Sequence, residues 1–177
     1  MKLFTTRAPC GAGLMVLCIA AASLAYAGPS RPFKGSLELE ERIGRLTRCP
    51  GPQGQPGRGG TLNGTGHASH LGRVQVSGSH CIEGEPGSPP ASFQLLEGHM
   101  ALRAAHGDVV LADYSGVFTL ATTGNYTFAG QYVITGGTGR FADASGTGVL
   151  SGSLQGEVPS FQQAQMARMA RIISRMR

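Results

Sequence analysis

Tryptophan is absent from this chain, charged residues are sparse, and no recognisable catalytic motif occurs. There is no Gly-x-Ser-x-Gly sequence, no Cys-x-x-Cys pair and no cluster of acidic and histidine residues at metal-ligand spacing. His67 and His70 lie three residues apart, which in a strand places them on opposite faces. The sequence therefore predicts no catalytic residue, no metal site and no cofactor, and it favours a non-enzymatic protein.

A membrane-length apolar run is also missing. Lys2 and Arg7 lead into a shorter apolar stretch from Leu14 to Ala22, and Ala25-Tyr26-Ala27 offers small residues at the two positions that a signal peptidase reads. We interpret residues 1–27 as a cleavable signal peptide and predict a secreted or periplasmic protein. The alternative, a membrane anchor, is disfavoured because a bilayer span needs ~20 apolar residues.

The body of the chain lacks an excess of charge of either sign. Residues 28–157 hold nine basic and ten acidic side chains, whereas residues 158–177 hold four arginines and no acidic residue. A nucleic-acid-binding domain needs a basic face. The composition therefore argues against nucleic acid as a partner, and it divides the mature chain into one neutral domain over 28–157 and a basic tail over 158–177.

Cysteine is scarce outside the predicted signal peptide, where only Cys49 and Cys81 remain. An even pair in an oxidising compartment is usually a disulfide. We therefore predict a Cys49–Cys81 bridge. A reactive thiol or a metal ligand is the alternative interpretation of either residue.

Alternation of apolar and polar residues dominates the remaining sequence. Even positions are apolar or glycine in four successive segments, which are residues 96–104, 110–120, 126–134 and 144–154. Turn sequences such as His106-Gly107-Asp108 separate them, so the pattern indicates antiparallel strands joined by hairpins. Glycines on the apolar face favour closure, because strands bend most easily where no side chain crowds the inside. We predict an all-β fold, a closed antiparallel barrel of about eight strands.

Three segments are expected to interrupt the strands. Residues 40–47, which follow a first strand from Phe33 to Leu39, are predicted to form a short helix. Residues 48–60 and 83–91 are rich in glycine and proline and are predicted to be loops.

The stretch from Ile134 to Gly146 resembles the strand–turn–strand signature of the allene oxide cyclase and dirigent barrels. The matching positions are Gly137, Gly139, Phe141, Ala144 and Gly146. The resemblance implies an eight-stranded antiparallel barrel with an apolar interior cavity, assembled as dimers or trimers. The plant enzymes of these families use the cavity to fold a reactive fatty-acid epoxide or to steer the coupling of phenoxy radicals. None of their catalytic residues can be placed on this chain, so the resemblance assigns no catalytic role here.

Aromatic and histidine side chains at even positions are the candidates for a ligand site. If the even parity extends back to residue 62, the interior face carries His70, His80, Tyr114, Tyr126 and Tyr132 beside the rings of Phe118 and Phe128. A cavity with a few convergent polar groups is the usual form of a small-molecule site. The alternative is that the tyrosines fill the core and the histidines lie at the rim.

The basic tail has the periodicity of an amphipathic helix over residues 160–177. At 100° per residue, its methionines and isoleucines share one face, while Arg168, Arg171 and Arg175 share the other. Such a helix binds an anionic membrane surface or a protein partner. The alternative is that it packs on its own barrel or frays.

Three functions are compatible with these features. The first is an exported barrel that binds a small apolar or aromatic molecule in its interior. The second is a structural or interaction protein of the cell envelope that uses the arginine-rich tail. The third is an isomerase or cyclase like the plant enzymes that the chain resembles.

The signal-peptide interpretation predicts the N-terminus of the exported protein. Expression with export should yield a chain that begins at Gly28, because Ala25 and Ala27 are the small residues that precede the cut. Intact-mass spectrometry and N-terminal sequencing measure this directly. Retention of residues 1–27 in the exported fraction would contradict the interpretation.

Overall fold

Antiparallel strands make up nearly all of the structure. The computed structural model describes residues 31–84, 90–122, 125–155 and 166–170. Seven strands form one antiparallel sheet in chain order. They are β1 (Gly35–Pro50), β2 (Pro56–Ala68), β3 (Gly72–Gly84), β4 (Ser92–Ala104), β5 (Val109–Thr122), β6 (Asn125–Gly137) and β7 (Gly146–Gln155). The predicted all-β class is confirmed.

A short eighth strand lies at the C-terminal side of the chain. Strand β8 (Met166–Ala170) pairs antiparallel with β1 on one side and with the end of β7 on the other. Among the described strands, β1 and β7 pair with β8 and not with each other. Within the described part of the chain, no helix is long and apolar enough to cross a bilayer.

The tail helix predicted over residues 160–177 is wrong for its central part. Residues 166–170 are extended and pair in register with residues 38–42 of β1. Arg168 lies in this strand opposite Glu40. A sheet edge offers unpaired backbone groups to an extended segment, and this pairing overrides the helical periodicity. Arg171 and Arg175 lie outside the described residues.

The inside–outside alternation is as predicted in the second half of the sheet. Most even residues of β5 and β6 are buried, including Val110, Tyr114 and Phe118, while odd residues such as Val117 and Val133 are exposed. The parity reverses in the first part of β4. Phe93 and Leu95 are buried there, whereas the predicted interior residue Leu96 is only half-buried.

A bulge in β4 causes this reversal. The pairing with β5 shifts between Leu95 and Gly98, and Glu97 adopts a positive φ of 49° within the gap. An extra residue on one strand moves all following side chains to the other face. From Gly98 to Ala104 the even parity is therefore restored.

The helix predicted over residues 40–47 is also wrong, because β1 runs without interruption through this segment. Its partner β2 pairs with it residue by residue from Gly35 to Leu46. The loop predicted over residues 48–60 is confined to a turn around the 3-10 segment Pro52–Gly54, and β2 already begins at Pro56. Of the second predicted loop, residues 83 and 84 end β3, and 85–89 lie outside the described residues.

Glycines inside the sheet make room for aromatic rings. A Cβ atom on Gly98 would lie 2.7 Å from the ring of Tyr114, its direct neighbour on β5. A Cβ atom on Gly116 would lie 2.5 Å from the ring of Phe128. Atoms this close would overlap, so each glycine is required for the ring that covers it. The space that these glycines create is occupied by the protein's own side chains.

The predicted disulfide is confirmed and joins β1 to β3 near one end of the sheet. Cys49 and Cys81 are bonded, with their Cα atoms 5.4 Å apart and a sequence separation of 32 residues. Both residues are buried. The bridge lies one residue after His80 in the chain, so it also anchors the strand segment that carries this histidine.

Removal of this bridge should destabilise the protein substantially. In the chain-entropy description, a loop of this length contributes about 3–4 kcal/mol to the free energy of unfolding. The variant Cys49→Ser/Cys81→Ser should therefore unfold at a much lower urea concentration than the oxidised wild type. Wild-type protein in reductant is the matched control and should behave like the variant. An unchanged urea midpoint would contradict the prediction.

Candidate functional site

Three chemically different zones divide the interior of the sheet along the strands. We call the end with the turns at residues 69–71, 105–108 and 138–145 the lower end, and the end with the disulfide the upper end. An apolar pocket lies at the lower end. A polar network lies midway, and a cluster of aromatic rings lies towards the upper end.

The polar network consists of Glu41, His80 and Tyr114, one residue each from β1, β3 and β5. His80 Nε2 lies 2.7 Å from Glu41 Oε1, and His80 Nδ1 lies 2.7 Å from the Tyr114 hydroxyl. His80 is fully buried, Glu41 is 2% exposed and Tyr114 is 6% exposed. Because the three strands are not neighbours, these bonds cross the interior of the curved sheet.

The protons of the network follow from the chemistry of Tyr114. Burial raises the pKa of its hydroxyl far above the ordinary value, the negative charge of Glu41 raises it further, and Arg48 lowers it in part. The hydroxyl therefore keeps its proton and donates it to His80 Nδ1. In the tautomer that carries its proton on Nε2, His80 accepts this hydrogen bond at Nδ1 and donates to Glu41 Oε1.

Gly60 on β2 allows the network to pack tightly. A Cβ atom at this position would lie 2.6 Å from His80 Nε2 and would also collide with Glu41 Oε1. The second carboxyl oxygen, Glu41 Oε2, is buried and has no hydrogen-bond partner among the described residues. A buried acceptor of this kind takes a proton donor when one reaches it, such as a water molecule.

Arg48 lies beyond the network on the same strand as Glu41. Its guanidinium donates to the backbone oxygen of Glu97 at 2.8 Å and to the hydroxyl of Ser79 at 3.2 Å. These bonds connect β1 to β3 and to the bulge of β4. Arg48 thus supplies a positive charge that acts on Tyr114, and it does so from a partly exposed position.

The apolar pocket occupies the lower end. Its volume is about 20 Å³, enough for about one water molecule. Side chains from six strands and from the segment before β1 line it, including Phe33, Leu37, Met100, Leu102, Ile134 and Leu150. Tyr132 also lines the pocket and is the direct neighbour of Tyr114 across β5 and β6. The pocket wall therefore adjoins the polar network through this pair of tyrosines.

The aromatic cluster fills the interior towards the upper end. Phe93 stacks on Phe118 with ring centroids 4.8 Å apart, and Phe118 contacts Phe128 at the same separation. Tyr126 packs edge-on against Phe93 at 5.3 Å, and its hydroxyl donates to the backbone oxygen of Pro90 at 2.8 Å. These rings form a packed core.

The predicted interior residues therefore separate into different zones. Tyr132 lines the pocket, His80 and Tyr114 belong to the network, and Tyr126, Phe118 and Phe128 belong to the aromatic cluster. The prediction that His70 lies on the interior face is wrong. This residue lies exposed in the turn between β2 and β3 with a φ of 67°, because the turn ends the alternation of β2.

Two important residues were missed by the sequence analysis. Glu41 lies on the buried face of β1 together with Leu37 and Leu39, but the predicted helix concealed this alternation. Phe33 was assigned only to a first strand, whereas it lines the pocket from just before β1. The regular spacing of Leu37, Leu39 and Glu41 was the available signal for the first of these.

Across the described ranges, no three His, Cys, Asp or Glu side chains are grouped closely enough to hold an ion. His99 and Asp113 form an exposed cross-strand pair, with 2.6 Å between Nδ1 and Oδ1.

No family model, curated protein or solved structure matches this chain.

Replacement of Tyr114 tests the network and its protons. At neutral pH, Tyr114→Phe should lower the free energy of unfolding by about 1–3 kcal/mol, because His80 Nδ1 is left buried without a donor. The difference should shrink as pH rises above about 10, by about 1.4 kcal/mol per pH unit. The pKa of Tyr114 is raised in the folded protein, so its contribution to the free energy of unfolding is fully present below the pKa of the unfolded chain. At higher pH the unfolded wild type loses this proton while the folded protein keeps it, and the wild type therefore loses stability. Tyr114→Phe has no such hydroxyl and does not lose this contribution.

Urea denaturation of both proteins at pH 7, 10 and 11 provides the measurement. The pKa of Tyr126 is also raised by burial, but this tyrosine is present in both proteins and its contribution cancels. A difference between the proteins that stays constant from pH 7 to 11 would contradict the raised pKa of Tyr114.

Proposed function

We propose that this protein is an exported β-barrel that binds a small, neutral, apolar molecule at the lower end of its interior. The observation that carries the proposal is the pocket, whose lining side chains are all apolar apart from the hydroxyl of Tyr132. Burial of apolar surface is the main favourable term for such a ligand. The absence of charge in the lining disfavours ions and charged metabolites.

The proposed barrel is closed by β8 and belongs with the allene oxide cyclase and dirigent barrels. Support for closure comes from the pairing of β8 with both β1 and β7, and from the Glu41–His80–Tyr114 network that spans the interior. Support for the kinship remains the spacing of Gly137, Gly139, Phe141, Ala144 and Gly146.

Export is proposed from two features. The first is the charged, apolar and small-residue order of residues 1–27, which is typical of a signal peptide. The second is the buried Cys49–Cys81 disulfide, because structural disulfides persist in oxidising compartments.

Binding is favoured over turnover by the position of the titratable groups. His80 and Tyr114 each hydrogen-bond within the network, and neither His80 nor Glu41 lines the pocket. A general acid or base must come within hydrogen-bond reach of the substrate. We therefore assign the network to the support of the pocket wall and not to chemistry on the ligand.

Titration with toluene tests the proposal. The probe is small, uncharged and apolar, and the methyl group of Met100 lies in the pocket wall. In protein labelled with ¹³C at the methionine methyl groups, the Met100 resonance should shift with a Kd near or below about 1 mM, equivalent to about 4 kcal/mol of binding.

A filled pocket provides the matched control. Ala112 lines the pocket, and Ala112→Leu should abolish the shift by occupying the space. Ala129→Leu adds the same side chain on the outer face of β6 and should leave the titration unchanged. Equal binding by the two variants would contradict the proposal. Absence of a Met100 shift in every protein whose pocket is not filled by a substitution would also contradict it.

A further inference from the structure

Among the described residues that line the pocket, Phe33 is the one that does not lie on a strand of the sheet. It lies in the segment 31–34, which precedes β1, yet its side chain is only 6% exposed. Its neighbours Arg31, Pro32 and Lys34 are exposed. The segment therefore crosses the lower end of the sheet and inserts a single aromatic ring.

Hydrogen bonds to one turn hold this segment in place. Lys34 N–H donates to the Ser69 hydroxyl at 2.8 Å, and Ser69 N–H donates to the Lys34 oxygen at the same distance. His70 Nε2 lies 3.1 Å from the Pro32 oxygen. All of these residues except Ser69 are exposed, so water can replace the partners of these bonds when the segment moves.

If the chain is cut after Ala27, the segment 31–34 is joined covalently to the sheet only through β1, with five residues, 28–32, before Phe33. Within the described residues, Phe33 takes part in no strand pairing. The other described residues that line the pocket all lie on strands.

We propose that Phe33 is a displaceable plug that occupies the position of the ligand's own ring. The inference rests on the proposed function and names the ligand class: an uncharged molecule with a single ring of about the size of a phenyl group. The pocket beside the plug holds about 20 Å³, whereas an apolar cavity that binds benzene measures ~150 Å³. Departure of the phenyl ring supplies the missing volume.

The plug makes binding a competition between Phe33 and the ligand. The measured affinity is the affinity of the open pocket multiplied by the fraction of molecules in which the plug is withdrawn. Any change that holds the segment down must therefore weaken binding, and any change that removes the ring must strengthen it. If Phe33 were instead a fixed part of the pocket wall, holding the segment down would leave the affinity unchanged.

A reversible crosslink tests the first effect. Lys34 and Ser69 lie one step beyond the Gly35–Ala68 pair, and Ser69 N–H donates to the Lys34 oxygen. Opposed residues of antiparallel strands have Cα atoms ~4.5–5.5 Å apart, which is within the range of disulfides. In the variant Lys34→Cys/Ser69→Cys, oxidation should lower the affinity for toluene at least tenfold, and reduction should restore it. Wild-type protein under the same reductant controls for loss of the Cys49–Cys81 bond, and peptide mapping identifies the disulfides formed.

Removal of the ring tests the second effect. Phe33→Ala should bind toluene at least tenfold more tightly than the wild type, reported by Met100. Phe93→Ala is the matched control, because it removes an identical ring from the aromatic cluster and should leave the Met100 titration as in the wild type.

The outcomes separate the two proposals. If the wild type binds toluene in the pocket but the oxidised crosslink has no effect, or Phe33→Ala binds no more tightly, the plug is overturned and the proposed function stands. If Phe33→Ala folds and still binds no toluene, both are overturned. Weaker binding by the oxidised crosslink together with tighter binding by Phe33→Ala supports the plug.

Discussion

The buried hydrogen bonds of His80 to Glu41 and Tyr114 are the constraint on which the rest of the structure depends. They connect β1, β3 and β5, three strands that do not touch along their edges, and so they set how strongly the sheet must curve. The register of each strand is constrained with them, because a shift by one residue would turn a network member to the outside. A hydrophobic core of the same volume would tolerate such shifts more easily.

Polar groups are expensive to bury, and this network is retained despite that expense. Removal of any member leaves another buried polar atom without its partner, and this loss exceeds the net contribution of the hydrogen bond itself. The main effect of the network is therefore to disfavour other strand registers, and its net contribution to the free energy of unfolding is smaller. It also keeps the interior in two parts, with close-packed rings on one side and the smaller apolar space beside Tyr132 on the other.

The sequence was a good guide where alternation was regular and a poor one where a distant contact decided the outcome. The strands β5 and β6 follow the predicted parity because each residue type suits its side of a half-buried sheet. The positive φ of Glu97 has no local signature, and it was this bulge that displaced Leu96 from the interior. Residues 40–46 are held extended by β2 partners that are 11 to 23 residues away in the chain. Residues 166–170 are held extended by β1 partners more than one hundred residues away.

For the site, the alternation of residues along each strand identified most of the buried aromatic residues but not which of them contact one another. Tyr114 and His80 were placed inside from parity alone, while their common partner Glu41 was hidden by an incorrect helix. Which aromatic ring covers which glycine depends on cross-strand register, as for Gly98 and Tyr114, and register between strands is not encoded in the spacing within one strand.

The position of β8 in the chain bears on when the molecule can assemble. Among the described strands β8 is synthesised last, so β1 and β7 of a chain that has not yet reached residue 166 expose backbone donors and acceptors. A chain truncated before residue 166 would keep these edges unpaired, and unpaired strand edges favour aggregation and proteolysis.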